Sequence, residues 1–253
     1  MTRRWRRVWL VALVVGLVAA GYGAGRFSDV IVRPPLVIGQ DAITDAASRD
    51  VTVTLDDVGG QVIHVQATGA RRLAFVFYPG GLVRPQAYEW LGRALAAEGI
   101  ETWIPVMPYD LAVLGTNRAD ALIARVGGGV PVVIGGHSLG GAMAADYASR
   151  HATELAGLVL CAAYPAGNVT VAASWPALSL RAGNDGVAAA ADVQDGMSRL
   201  PAGSRLVTVD GAVHSFFGRY GPQQGDGVPT VSRTDAEDAI ISALTLYLTS
   251  RSS

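Results

Sequence analysis

The sequence predicts an α/β domain: a mostly parallel sheet with helices on both faces, preceded by an N-terminal hydrophobic helix. Three observations point there. Short β-branched apolar runs alternate with helix-period segments through residues 51–253, as they do where crossover helices join parallel strands. Some runs, 73–78 above all, are continuously apolar, which fits strands covered on both faces. One run, Val132-Val133-Ile134, ends in Gly135-Gly136-His137-Ser138-Leu139-Gly140-Gly141 and is followed by an Ala-rich stretch to Arg150. Strand, tight turn and helix then follow one another directly.

Composition narrows the function classes. The 253 residues are 50% hydrophobic and 16% charged, enough for one domain with a sizeable core. A net charge of −1 argues against nucleic acid as the main partner, because phosphate binding wants a basic surface. The single cysteine, Cys161, lies in an apolar run and reads as a core thiol. No Cys/His cluster has metal-ligand spacing, so no metal or cofactor is expected.

Residues 1–28 differ from the rest. Arg3, Arg4, Arg6 and Arg7 precede an apolar run over 8–25, with no charge until Arg26. That run is short for a transmembrane helix and long for a signal-peptide core. Trp5 and Trp9 suit a membrane interface, and the arginines predict a cytoplasmic N-terminus. The expectation is a membrane anchor through residues 8–25, the alternative a signal cut near the small residues 19–25. Residues 29–50, with Pro34-Pro35 and a polar stretch, read as a linker.

The domain itself, 51–253, is expected to open with antiparallel edge strands at 51–55 and 62–67 around a Gly59-Gly60 turn. Strands are predicted at 73–78, 101–106, 155–163, 177–182 and 205–209. Helices are predicted at 86–98, 117–126, 141–150, 188–200 and 235–248, the last capped by Thr234. The short stretch after 155–163 leaves little room for a large lid.

Gly136-His137-Ser138-Leu139-Gly140 fits the Gly-x-Ser-x-Gly pattern of a nucleophile elbow. Its serine occupies a strained turn, and its flanking positions must lack bulk. A serine hydroxyl needs a base to take its proton. Of four histidines, His137 adjoins Ser138 and should point away from the hydroxyl. His151 ends the elbow helix and is expected in solvent, and His64 lies in an early strand. His214 follows the last strand, where the order Ser…Asp…His puts the base. Asp185, in Gly183-Asn184-Asp185-Gly186 just past a strand end, is the candidate orienting acid, with Asp210 as runner-up. The N–H of Leu139 is one expected oxyanion donor. Gly81 or Leu82, in Pro79-Gly80-Gly81-Leu82-Val83, would supply the other.

These motifs resemble the α/β-hydrolase superfamily, and within it small, cap-poor bacterial hydrolases related to dienelactone hydrolase. The matching stretches are Phe77 through Val83, Met107-Pro108 with Leu111-Ala112, Gly135 through Ala142, Gly183 through Gly186, and His214 through Gly218 with Tyr220 through Gln223. The resemblance spans roughly residues 50–250. It implies a Ser138–Asp185–His214 triad and hydrolysis of a small-molecule carboxylic ester. Dienelactone hydrolase uses a cysteine nucleophile where this chain has Ser138, so its substrate is not carried over. Acyl transfer, thioesterase or peptidase chemistry on the same triad stays open, as does a non-catalytic, membrane-displayed binding module.

Overall fold

The structure, a computed structural model, describes Trp5, residues 13–18, Gly21, and residues 36–39, 50–126 and 129–252. The chain divides into two units, Met1–Leu36 and Val37–Ser253. In the first, residues 13–18 are helical. The expected anchor over 8–25 lies largely outside the described residues. Among those described, no helix is long and apolar enough to cross a membrane.

The second unit is built on an eight-stranded sheet. Its strands are β1 (Val53–Asp57), β2 (Gln61–Val65), β3 (Leu73–Tyr78), β4 (Ile100–Pro105), β5 (Val132–His137), β6 (Gly157–Cys161), β7 (Leu178–Ala182) and β8 (Arg205–Val209). The spatial order is β1-β2-β4-β3-β5-β6-β7-β8. All pairings are parallel except β1 with β2 and β2 with β4. Only β1 of the expected edge pair is therefore an edge, since β2 is paired on both sides. The described residues of this unit form five α-helices, α1 (Glu89–Leu95), α2 (Arg118–Val126), α3 (Leu139–Arg150), α4 (Ala190–Gly196) and α5 (Arg233–Thr249).

The β3 sequence explains the layering. Side chains alternate across a strand. Ala74, Val76 and Tyr78 join Leu122 of α2 and Ala144, Ala145 and Ala148 of α3 in one core. On the opposite side, Phe77 meets Tyr88 at 5.2 Å between ring centroids. Every residue of β3, β4 and β5 is buried. In α5 the buried positions include Ala236, Ile240, Leu244 and Leu248, a four-residue spacing that makes one stripe.

Two local expectations are corrected. The segment 86–98 is not one helix but a 3-10 turn (Pro85–Tyr88), α1, and a second 3-10 turn (Ala96–Glu98). Pro85 fixes the tight entry. The cap of α5 is Ser232, not Thr234, and Ser232 accepts from the Asp235 N–H at 3.1 Å.

His64 of β2 has a structural place. Its Nδ1 lies 3.0 Å from Asp56 Oδ2 and its Nε2 lies 2.8 Å from Glu101 Oε1. The ring stacks on Trp103 at 3.6 Å, and Arg71 also donates to Glu101 at 2.9 Å. Burial pushes the Glu101 carboxyl up, but hydrogen bonds from His64 and Arg71 outweigh it and hold the pKa below its usual value. A carboxyl depressed on folding stabilises the fold above its unfolded pKa, and that contribution is lost as pH falls through the folded value. Glu101→Gln should therefore cost about 1–2 kcal/mol near pH 7, a charged hydrogen bond discounted for partial exposure. The gap should begin to narrow as pH falls below the ordinary glutamate value of about 4.3 and go on shrinking as the folded carboxyl protonates. Urea unfolding of both proteins at pH 7 and pH 3.5 checks this, and an unchanged gap at the lower pH would refute it.

Candidate active site

Parallel register lines up the ends of the central strands. Tyr78 of β3 pairs with Gly136 of β5, and His137 pairs with Cys161 of β6. The loops that leave these strands share one edge of the sheet, where open α/β sheets place their ligands.

Ser138 sits at that edge between β5 and α3, with φ 52° and ψ −123°. A non-glycine residue at positive φ stores about 1–3 kcal/mol of strain and persists only where its surroundings impose it. Here they do. The Ser138 N–H donates to the Cys161 carbonyl at 3.0 Å, and the Ser138 carbonyl accepts from Ala142 N–H at 3.1 Å. Bulk is excluded on both sides of the turn. A Cβ on Gly136 would stand 2.5 Å from the Gly140 carbonyl carbon, and one on Gly140 would overlap the Tyr78 and Pro79 carbonyl oxygens. Cys161 is buried, which pushes its thiol pKa up, in keeping with a core residue.

Leu139 is the first residue of α3, a position whose N–H has no intrahelical acceptor. Gly81 lies beside it, since a Cβ on Gly81 would be 3.1 Å from the Leu139 side chain. Leu82 does not qualify as a donor. Its N–H donates to the Asp110 carbonyl at 2.8 Å, so of the two alternatives after β3 only Gly81 stays available. Both Leu82 and Asp110 adopt positive φ, and this bond links the β3 and β4 loops.

His214 and Asp185 meet across a 29-residue separation, with Nδ1 2.9 Å from Oδ2. Their side chains are 1% and 3% exposed, so water competes little for the bond. An ionised carboxylate only accepts, so Nδ1 holds a proton, and in the neutral ring Nε2 is the acceptor. That Nε2 is buried and has no hydrogen-bond partner among the described residues. The other Asp185 oxygen accepts from Val187 N–H at 2.8 Å and Ala188 N–H at 2.7 Å. Asp210 is exposed on the turn after β8.

The sequence reading missed Asp226. Its Oδ1 accepts from the N–H groups of His214 (3.0 Å), Gly227 (2.8 Å) and Gly186 (3.4 Å), and its Oδ2 accepts from Ser215 N–H at 2.9 Å. One carboxylate thus clamps the His214 loop to the Asp185 loop. Burial raises its pKa, but the backbone donors outweigh that and hold it below the usual range. The flanking Gly225 and Gly227 were the only sequence signal. The reading also gave no role to Tyr88 and His137. The Tyr88 hydroxyl lies 2.8 Å from His137 Nδ1, and the His137 ring centroid is 4.5 Å from that of His214. His151 is half-buried rather than in solvent, stacked on Tyr147 at 4.2 Å with Nδ1 2.9 Å from Glu154.

Ser138 and His214 line one cavity of about 270 Å³. Its other walls are Leu139, Ala142, Ala162, Ala163, Tyr164, Ala166, Val187 and Ala188. Among the described residues, no Asp, Glu, Lys or Arg side chain lines it. A larger concavity, about 510 Å³, is lined by Gly59, Thr116, Arg118 and Asp120 among others. Among the described residues, no group of three or more His, Cys, Asp or Glu side chains is arranged to hold a metal ion.

A strained serine between a strand and a helix, set in a parallel sheet with antiparallel strands at one end, defines an α/β-hydrolase class of architecture. A family model described as the alpha/beta hydrolase family matches residues 74–238, and the chain belongs to that family. It is therefore a hydrolase. A solved structure described as a predicted CIB-like hydrolase from Thermoplasma acidophilum superposes with a TM-score of 0.59 at 17% identity. The match covers 79% of this chain and 98% of that one, and it shows the shared fold. No curated protein matches the chain.

Proposed function

We propose that this hydrolase cleaves a carboxylic ester with a short acyl group, using Ser138 as nucleophile, His214 as base and Asp185 to orient it. The observation behind this reading is the buried Nε2 of His214, without a hydrogen-bond partner among the described residues, in a ring that lines the same cavity as Ser138 and has Nδ1 2.9 Å from Asp185. Ser138 Oγ attacks the ester carbonyl while His214 Nε2 takes its proton. The N–H groups of Gly81 and Leu139 receive the oxyanion. Collapse of the tetrahedral intermediate breaks the bond to the alcohol oxygen, which takes the proton from His214. Water, activated by the same nitrogen, then releases the acid. Asp185 stabilises the imidazolium formed in each half.

The alanine-rich wall supports a small, neutral substrate. Purified protein should cleave two- to four-carbon aryl esters faster than ones of ten or more carbons, and a clear preference for long chains would overturn that choice. The mechanism itself is tested by a fluorophosphonate probe, which phosphonylates an activated serine. Wild type should label, and Ser138→Ala and His214→Ala should not. Folded wild type that fails to label would put a non-catalytic binding role first. Adding an acceptor alcohol and identifying the products separates hydrolysis from acyl transfer.

The arginine-flanked apolar run at 8–25 supports a catalytic domain held, or released, outside the cytoplasm. Cell fractionation with N-terminal sequencing checks this, and a mature protein starting near Ala24 would replace the anchor with a cleaved signal.

A further inference from the structure

Behind His214 lies a hydrogen-bond chain that the proposed mechanism does not use. The Gly80 N–H donates to the Tyr88 hydroxyl at 3.0 Å, and that hydroxyl lies 2.8 Å from His137 Nδ1. Tyr88 and His137 are both fully buried. A phenol has one proton. With Gly80 donating to the oxygen, that proton points to His137 Nδ1, which must then be bare. His137 is therefore the neutral tautomer with its proton on Nε2. Protonating Nδ1 would aim two donors at one hydroxyl and leave the phenolic proton without an acceptor. Burial, and then the neighbouring His214, also hold the His137 pKa well below its ordinary value, outweighing the His214 backbone, which raises it.

The chain joins two parts of the site. Gly80 directly precedes Gly81, the remaining oxyanion donor after β3. The approach is close enough that a Cβ on Gly80 would stand 2.8 Å from His137 Nδ1 and 2.9 Å from the Tyr88 hydroxyl. At the other end, the His137 ring packs against the ring of His214 at 4.5 Å. His214 must become a cation during the reaction, and a cation at His137 would oppose it.

We infer that Tyr88 and His137 are positioning residues: a buried hydrogen-bond lock that aims the Gly81 N–H at the oxyanion and backs the His214 ring with a neutral wall. This rests on the Ser138–His214 reading above. An oxyanion donor acts in the transition state far more than in the ground state. Removing the lock should thus lower kcat and leave KM nearly unchanged.

The test uses the full chain and a short-chain aryl ester. Tyr88→Phe keeps the ring and deletes the hydroxyl. It should lower kcat about 10–100-fold, less than loss of a whole oxyanion donor, with KM within about twofold. The inhibition constant of an alkylboronic acid, which mimics the tetrahedral intermediate, should rise by the same factor as kcat falls. A merely structural role would not couple those two numbers. His137→Asn retains an acceptor for the Tyr88 proton and should keep more activity than His137→Leu, which also covers the case of a Tyr88→Phe protein that fails to fold. Ser138→Ala is the parallel control. If it is inactive while folded Tyr88→Phe matches wild type in kcat and boronate affinity, the lock is refuted and the triad stands. If Ser138→Ala is active, the triad reading falls and the lock falls with it.

Discussion

Asp185→Asn is expected to reduce kcat/KM for a short-chain ester on the order of 10⁴-fold, with the fold intact. The size of the effect follows from how the carboxylate is held. Asp185 Oδ1 receives two backbone N–H groups, from Val187 and Ala188. In an asparagine, that position must be the carbonyl oxygen, because an NH₂ there would face two donors. The amide NH₂ is then forced onto the side of His214 Nδ1, 2.9 Å away in the native pair. A donor facing Nδ1 drives the imidazole proton to Nε2. The nitrogen that should accept from Ser138 then holds a proton instead, and the base is lost through the wrong tautomer rather than through a missing residue. Steady-state kinetics checks the rate, and thermal melting checks that folding is unaffected. A loss smaller than about tenfold would show that Asp185 does not orient the base.

The same geometry shows what the sequence could and could not announce. The sheet was legible because strands such as β3 and β6 are uninterrupted apolar runs, and a run buried on both faces has few other places to go. Ser138, Asp185 and His214 were legible as candidates because strand ends, turn glycines and chain order mark them. Asp226 and Tyr88 act by contacts with no local pattern. Asp226 reaches the Gly186 N–H 40 residues away in sequence, and Tyr88 reaches His137 across 49. Tyr88 also fitted the apolar period of a helix, which hid its hydroxyl. Leu82 failed as a donor for a similar reason, since the Asp110 carbonyl that occupies its N–H arrives from the loop after β4. His137 was set aside for adjoining Ser138, a reading that is silent about what its ring meets behind the site.

Gly140→Ala should be among the most damaging single-methyl changes in the domain, and it separates packing from chemistry. The added Cβ would overlap the carbonyl oxygens of Tyr78 and Pro79. Both are main-chain atoms at the end of β3, whose strand hydrogen bonds fix them, so no side-chain rotation relieves the contact. Overpacking of this kind costs about 3 kcal/mol or more, enough to lower the melting temperature by roughly 10 °C in a domain of this size. The relaxation that remains is to move the start of α3 away from β3. That movement takes Ser138 and the Leu139 N–H away from Gly81, because the two halves of the proposed oxyanion site sit on opposite sides of the same contact. Displacing reacting groups by about 1 Å costs on the order of 100-fold in rate. Activity should therefore fall at least about 100-fold even at temperatures where the variant is fully folded. Circular dichroism melts and kcat/KM measured well below the midpoint distinguish the two effects. A variant that melts within about 2 °C of wild type and keeps full activity would mean that β3 and α3 are not in the tight contact on which the elbow depends.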